Sequence, residues 1–95
     1  MCAINGFTFK DEELGRLMNA TTKHRGPDGS HIWSDEFVTF GHNRLSIIDI
    51  STASDQPMKN EDGRYIIVYN GELYNFKELK KELGENRFKT TGDTE

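Results

Sequence analysis

The sequence is poor in cysteine, proline and tryptophan and has no surplus of basic residues, and each shortage excludes something. A single cysteine, Cys2, rules out an intramolecular disulfide and any multi-cysteine zinc site, which points to a reducing compartment. Twelve Lys and Arg against sixteen Asp and Glu leave a net charge of −4, so the clustered cationic surface on which nucleic-acid affinity rests is missing. The main apolar run, around Ile66-Ile67-Val68, falls far short of the ~18 residues of a membrane span, and mean hydropathy is −0.75. Met1-Cys2-Ala3-Ile4-Asn5-Gly6 has neither the basic nor the apolar region of a secretory signal. The expectation is a cytoplasmic chain with no nucleic-acid or membrane partner. At 95 residues and 34 % hydrophobic, it is marginal unless further chain or a partner completes its core, because small domains bury only somewhat over ~60 % of their unfolded surface.

Periodicity gives a coarse order of elements. Cys2 to Phe9 reads as a strand, and from Asp11 the spacing of Leu14, Leu17 and Met18 predicts a helix of about ten residues, with Asp11, Glu12 and Glu13 in its first turn. Arg25-Gly26-Pro27-Asp28-Gly29-Ser30 is turn chemistry. Strands are expected at His31 to Ser34, Phe37 to His42 and Arg44 to Ile50, the last placing Arg44, Ser46 and Ile48 on one face. After a polar excursion, Glu61-Asp62-Gly63 turns into a strand from Arg64 to Tyr69. Asn75 and Glu78 have the form of a capping box opening a helix with Phe76, Leu79 and Leu83 on one face, which Gly84 ends. A short strand is expected at Arg87 to Thr90.

Four positions admit a chemical reading beside a structural one. Cys2 is either an inert small residue or, once Met1 is removed, a nucleophile whose own α-amine takes the thiol proton. Asn70-Gly71 is a tight-hairpin signal, and such a turn also offers a side-chain amide and a backbone N–H to an oxyanion. Arg44 is a solvated strand end or a bidentate clamp for a carboxylate. Asp93 is a turn residue or an ammonium acceptor. His24, His31 and His42 share no metal-ligand spacing, so no metal site is expected.

The order of these motifs is more specific than any one of them. Met1-Cys2, His24 to Gly29, Gly41-His42-Asn43-Arg44-Leu45-Ser46-Ile47-Ile48-Asp49, Gln56-Pro57-Met58, Tyr69 to Asn75 and Gly92-Asp93-Thr94-Glu95 together resemble the class II glutamine amidotransferases, in their asparagine synthetase branch. The resemblance runs end to end. It implies an α+β fold, the N-terminal part of a four-layer αββα sandwich of the N-terminal nucleophile hydrolase type with antiparallel sheets. It implies that residues 1–95 are the front of such a domain, with the rest of it and a synthetase domain lying beyond. It further implies that Cys2 attacks the side-chain amide of glutamine, with Asn70 and Gly71 as oxyanion donors. Arg44 would hold the substrate carboxylate, Asp93 its ammonium, and Glu72 and the backbone around Ile48 would complete the pocket. No cofactor is expected in this segment, ATP and Mg2+ belonging to the synthetase domain. Glutamine and that domain are the implied partners.

Related enzymes that amidate sugars share these features, so the ammonia acceptor stays open. The family usually has glycine where this chain has Ala3, and a methyl group there would crowd the site or require another backbone angle. That departure and the short length leave a second reading, a truncated or degenerate segment with a structural or binding role and no turnover. The resemblance gives the His24 to Gly29 loop a place near the site but no chemical role.

Overall fold

One central strand organises the molecule. In the computed structural model, which describes residues 1–95, β1 (Ala3–Phe7), β2 (Gly29–Ser34) and β3 (Thr39–Arg44) form an antiparallel sheet in the order β1-β3-β2. Ala3 pairs with Asn43 on one side of β3, and His31 with His42 on the other. Side chains on a strand point alternately to its two faces. Thr39, Gly41 and Asn43 face helix α1 (Glu12–Thr21), which packs across all three strands, while His42 and Arg44 face the opposite side and reach into residues 49–69. Both faces of β3 are thus covered, and His42, Asn43 and Thr39 are fully buried.

Helix α1 forms where its sequence predicts, but its inward face is not the expected apolar one: Leu17 is exposed, and Gly15 and Asn19 are the buried residues. Asp11 is the N-cap, its Oδ1 accepting the Leu14 N–H at 2.9 Å, and Glu12 and Glu13 occupy the first turn. Asn19, on the buried face, donates from Nδ2 to the His31 carbonyl (3.1 Å) and Ser30 Oγ (3.2 Å), fastening the helix to β2. Across the sheet, Asn43 Nδ2 donates to the Asn19 carbonyl at 2.7 Å. The two layers are joined largely by amides and hydroxyls.

Four expectations need correction. The strand expected from Arg44 to Ile50 does not form: β3 runs through Asn43 and ends at Arg44, so Arg44, Ser46 and Ile48 share no strand face. The run of isoleucines suggests a strand, but its backbone groups are satisfied elsewhere. The Leu45 N–H goes to Cys2 Sγ, the Ser46 N–H to Asp28 Oδ2, and the carbonyls of Asp49 and Ser51 accept from Arg44.

Second, the strand expected over Arg64 to Tyr69 contracts to β5 (Ile66–Ile67), paired with β4 (Met58–Lys59) across the Glu61-Asp62-Gly63 turn. The hairpin therefore lies at that turn, not at Asn70-Gly71, which no strand follows. Third, Asn75 opens helix α2 (Phe76–Leu83) without a side-chain capping bond, so no capping box forms, although Gly84 does end the helix. Fourth, Arg87 to Thr90 makes no strand. Its Lys89 and Thr90 N–H groups donate to the Glu95 carboxylate at 2.8–3.0 Å instead of to a neighbouring strand.

No helix is long and apolar enough to cross a membrane.

Candidate active site

A cleft of about 460 Å³ opens on the face of the sheet away from α1. Cys2, Arg44, Ile48, Asn70, Gly71, Glu72 and Asp93 all border it, so the residues singled out from the sequence converge on one place although they span the chain. Met1 borders it too and is largely exposed. Ala3 does not. It lies buried within β1, and no non-glycine residue has a positive φ, so its methyl group neither enters the cleft nor requires a glycine-only backbone angle.

The thiol is half-buried and unpaired. Its sulfur accepts the Leu45 N–H at 3.3 Å and lies 3.7 Å from the Leu45 carbonyl. The His24 to Gly29 loop holds the chain on both sides of that contact, which gives the loop a structural role. The Asp28 N–H donates to the Arg44 carbonyl at 2.9 Å, and Asp28 Oδ2 accepts the Ser46 N–H at 2.8 Å. Gly26 lies so close to β3 that a Cβ there would sit 2.3 Å from the Asn43 carbonyl, so only glycine fits.

Arg44 is almost fully buried, not a solvated strand end. Its Nη1 donates to the Ser51 carbonyl (2.6 Å) and to Asp55 Oδ1 (2.9 Å), and Nη2 donates to the Asp49 carbonyl. The Nε–H and one Nη2–H have no protein acceptor, which leaves donors for a ligand carboxylate. Asp55 also meets His31 Nε2 at 3.1 Å.

Asp49 is a residue that sequence reasoning did not single out. Its carboxylate accepts four bonds: from the Ser51 hydroxyl and N–H, the Ser54 hydroxyl and the Thr91 N–H, at 2.6–2.9 Å. These donors, the Ser51 hydroxyl foremost, hold its pKa far below the usual carboxylate range. Asp49 thereby ties the Ile48 wall to the segment carrying Asp93. Asp93 Oδ2 in turn accepts the Leu73 N–H at 2.9 Å, joining that segment to the one carrying Asn70 and Gly71.

Two more residues that hold the cleft's surroundings were missed, Gln56 at its edge and His42 in the interior. Gln56, buried, accepts the Tyr69 N–H on Oε1 and donates to Thr94 Oγ1 at 3.2 Å. His42 Nε2 lies 3.3 Å from the Tyr69 carbonyl, and burial lowers its pKa, with Arg44 adding to the effect. Spacing alone could not reveal either. Their partner is a backbone group remote in sequence. No group of three or more His, Cys, Asp or Glu side chains gathers as a metal site would require.

Similarity to known proteins runs along the whole chain. The model of the glutamine amidotransferase domain family matches residues 1–95. Asparagine synthetase [glutamine-hydrolyzing] 1 of Bacillus subtilis is 47 % identical over 93 % of the chain, and asparagine synthetase [glutamine-hydrolyzing] 3 of the same organism is 41 % identical over all of it. Asparagine synthetase B [glutamine-hydrolyzing] of Escherichia coli is 38 % identical, also over the whole chain. The chain spans only 14 %, 17 % and 18 % of these relatives' lengths. With a matched model across its full length and relatives of this identity, the chain belongs to the glutamine amidotransferase domain family.

Proposed function

We propose that this chain carries the glutaminase half-reaction of an asparagine synthetase-like amidotransferase, hydrolysing glutamine to glutamate and releasing ammonia for an acceptor. What carries the reading is the convergence of a thiol, a partly free guanidinium and a carboxylate, those of Cys2, Arg44 and Asp93, on a single cleft beside an Asn-Gly pair. Free glutamine needs those groups: a nucleophile for its amide, a cation for its carboxylate and an anion for its ammonium.

In this mechanism loss of Met1 frees the α-amine of Cys2, which takes the thiol proton as Sγ attacks the amide carbon. The oxyanion is received by the Asn70 side-chain amide and the Gly71 N–H. Removing one such donor typically costs on the order of 10²–10³ in rate. Collapse breaks the carbon–nitrogen bond, the amine proton leaves with ammonia, and water cleaves the glutamyl thioester. Glu72 and the chain around Ile48 line the pocket. That the relatives are glutamine-hydrolysing asparagine synthetases supports a synthetase domain as the partner that consumes the ammonia; we place any use of ATP and Mg2+ in that domain rather than in this segment. The sandwich of the N-terminal nucleophile hydrolases is the wider fold we propose, and a reducing, cytoplasmic setting suits an unpaired thiol.

The test is glutamate release from glutamine by the chain and by Cys2→Ala, with intact mass to establish whether Met1 is present. The reading requires Cys2→Ala to abolish release and Met1 to be absent from the active species. Equal rates for the two proteins overturn it and favour a non-catalytic role.

A further inference from the structure

We infer that His42 is a positioning residue for Asn70 and Gly71, acting by holding the carbonyl of Tyr69. The inference rests on the proposed function for its catalytic meaning, but not for its structural content.

The segment that carries Asn70 and Gly71 is not held by a sheet. Strand β5 ends at Ile67, and no strand follows. Side chains grip it instead: Asp93 Oδ2 accepts the Leu73 N–H on its far side, and two hold the peptide groups flanking Tyr69, where Gln56 Oε1 accepts the Tyr69 N–H and His42 Nε2 faces the Tyr69 carbonyl at 3.3 Å. Peptide groups are planar, so a residue has only two soft dihedrals. Fixing both planes at Tyr69 fixes both dihedrals there. The second plane also contains the nitrogen of Asn70, so His42 orients the start of the Asn70-Gly71 pair. The Tyr69 ring then folds over Gly71, where a Cβ would lie 2.7 Å from the tyrosine hydroxyl.

The chemistry of the imidazole fits this task. A carbonyl only accepts, so the Nε2 facing it carries the proton, and in the neutral ring Nδ1 is then an acceptor. Nδ1 is buried without a partner. A second proton would place an N–H⁺ there with nothing to receive it, close to the Arg44 guanidinium and to His31, with Asp55 the one facing anion. A histidine serving only as filler would leave that nitrogen unsatisfied with nothing gained. The bond to Tyr69 is what an apolar replacement could not supply.

The test compares His42→Gln with His42→Asn. Both are neutral amides of similar size, but only the longer side chain brings its nitrogen to the place of imidazole Nε2. Thermal unfolding of each variant fixes whether it is folded. Amide exchange is then read at Asn70 and Gly71, and kcat and KM for glutamine hydrolysis are measured alongside.

His42→Gln is expected to keep wild-type exchange and rates. His42→Asn is expected to exchange roughly tenfold faster at those two amides and to lose about 10²-fold in kcat. Its KM should change little, because the groups that hold the two ends of glutamine are untouched. Equal exchange in two folded variants overturns the inference, as does a His42→Gln protein as impaired as His42→Asn. If His42→Asn does not fold, His42→Met, which fills the space without a donor, takes its place: faster exchange than in His42→Gln is expected at Asn70 and Gly71, and equal exchange overturns the inference. A wild-type chain without Cys2-dependent hydrolysis defeats the proposed function alone, and the exchange data still decide the role of His42.

Discussion

At the scale of single residues, two buried ionisable groups set the response to acid, in different pH ranges. His42 has a folded pKa below its ordinary value of about 6.5, mainly through burial. The unfolded chain therefore binds its proton first, and the stability this group contributes is present above pH ~6.5 and lost as pH falls through the folded value. Asp49 is likewise depressed, because four donors hold its ionised form. Its contribution is present above pH ~4 and lost on further acidification. We predict that thermal midpoints measured from pH 8 to pH 3 fall in two stages. His42→Gln should flatten the first stage. Asp49→Asn should flatten the second and lower the neutral-pH midpoint by on the order of 5 °C. A single acid transition unaffected by either substitution would contradict both assignments. Neither residue is distinguished by sequence. His42 was one of three scattered histidines, and the partners of Asp49 reach as far as Thr91, 42 positions away.

At the scale of elements, the two helix starts differ in a way their sequences conceal. Asp11 and Asn75 are both good N-cap residues, yet only Asp11 makes the bond. Asp11→Ala should cost about 1 kcal/mol, while Asn75→Ala should change stability by less than ~0.5 kcal/mol. Urea unfolding of the two variants checks the contrast, and similar losses would refute it. Local pattern was legible where an element is held by its own sequence, as in α1 and the Glu61-Asp62-Gly63 turn. It failed where backbone groups are claimed from a distance. Leu45 and Ser46 are drawn to Cys2 and Asp28, and Lys89 and Thr90 to Glu95, so two β-prone stretches form no strand.

At the scale of the whole molecule, the fully buried residues are mostly polar, and many large apolar side chains are half-buried or exposed. Fourteen of 95 residues are buried, and among them only Ala3 and Met58 are hydrophobic, while Phe37, Ile47, Ile50, Tyr65 and Tyr74 are each more than 60 % exposed. Hydrophobic burial is the dominant favourable term in folding. We therefore predict that the isolated chain unfolds with a shallow denaturant dependence and binds an apolar dye such as ANS under native conditions. A steep transition without dye binding would show the opposite. The ordered motifs picked out residues that border one cleft, whereas composition gave little hint of this core, because motif order reports on the family and composition only on the average residue.

The ion pair between Arg44 and Asp55, at 2.9 Å, closes residues 44–55 into a ring. Asp49 cross-braces that ring from within through Ser51 and Ser54. Its isoleucines face solvent, yet the backbone beneath them has already lost the entropy of loop closure. A molecule settling against Ile48 would meet a wall already ordered, so little of its association free energy would go into ordering the protein.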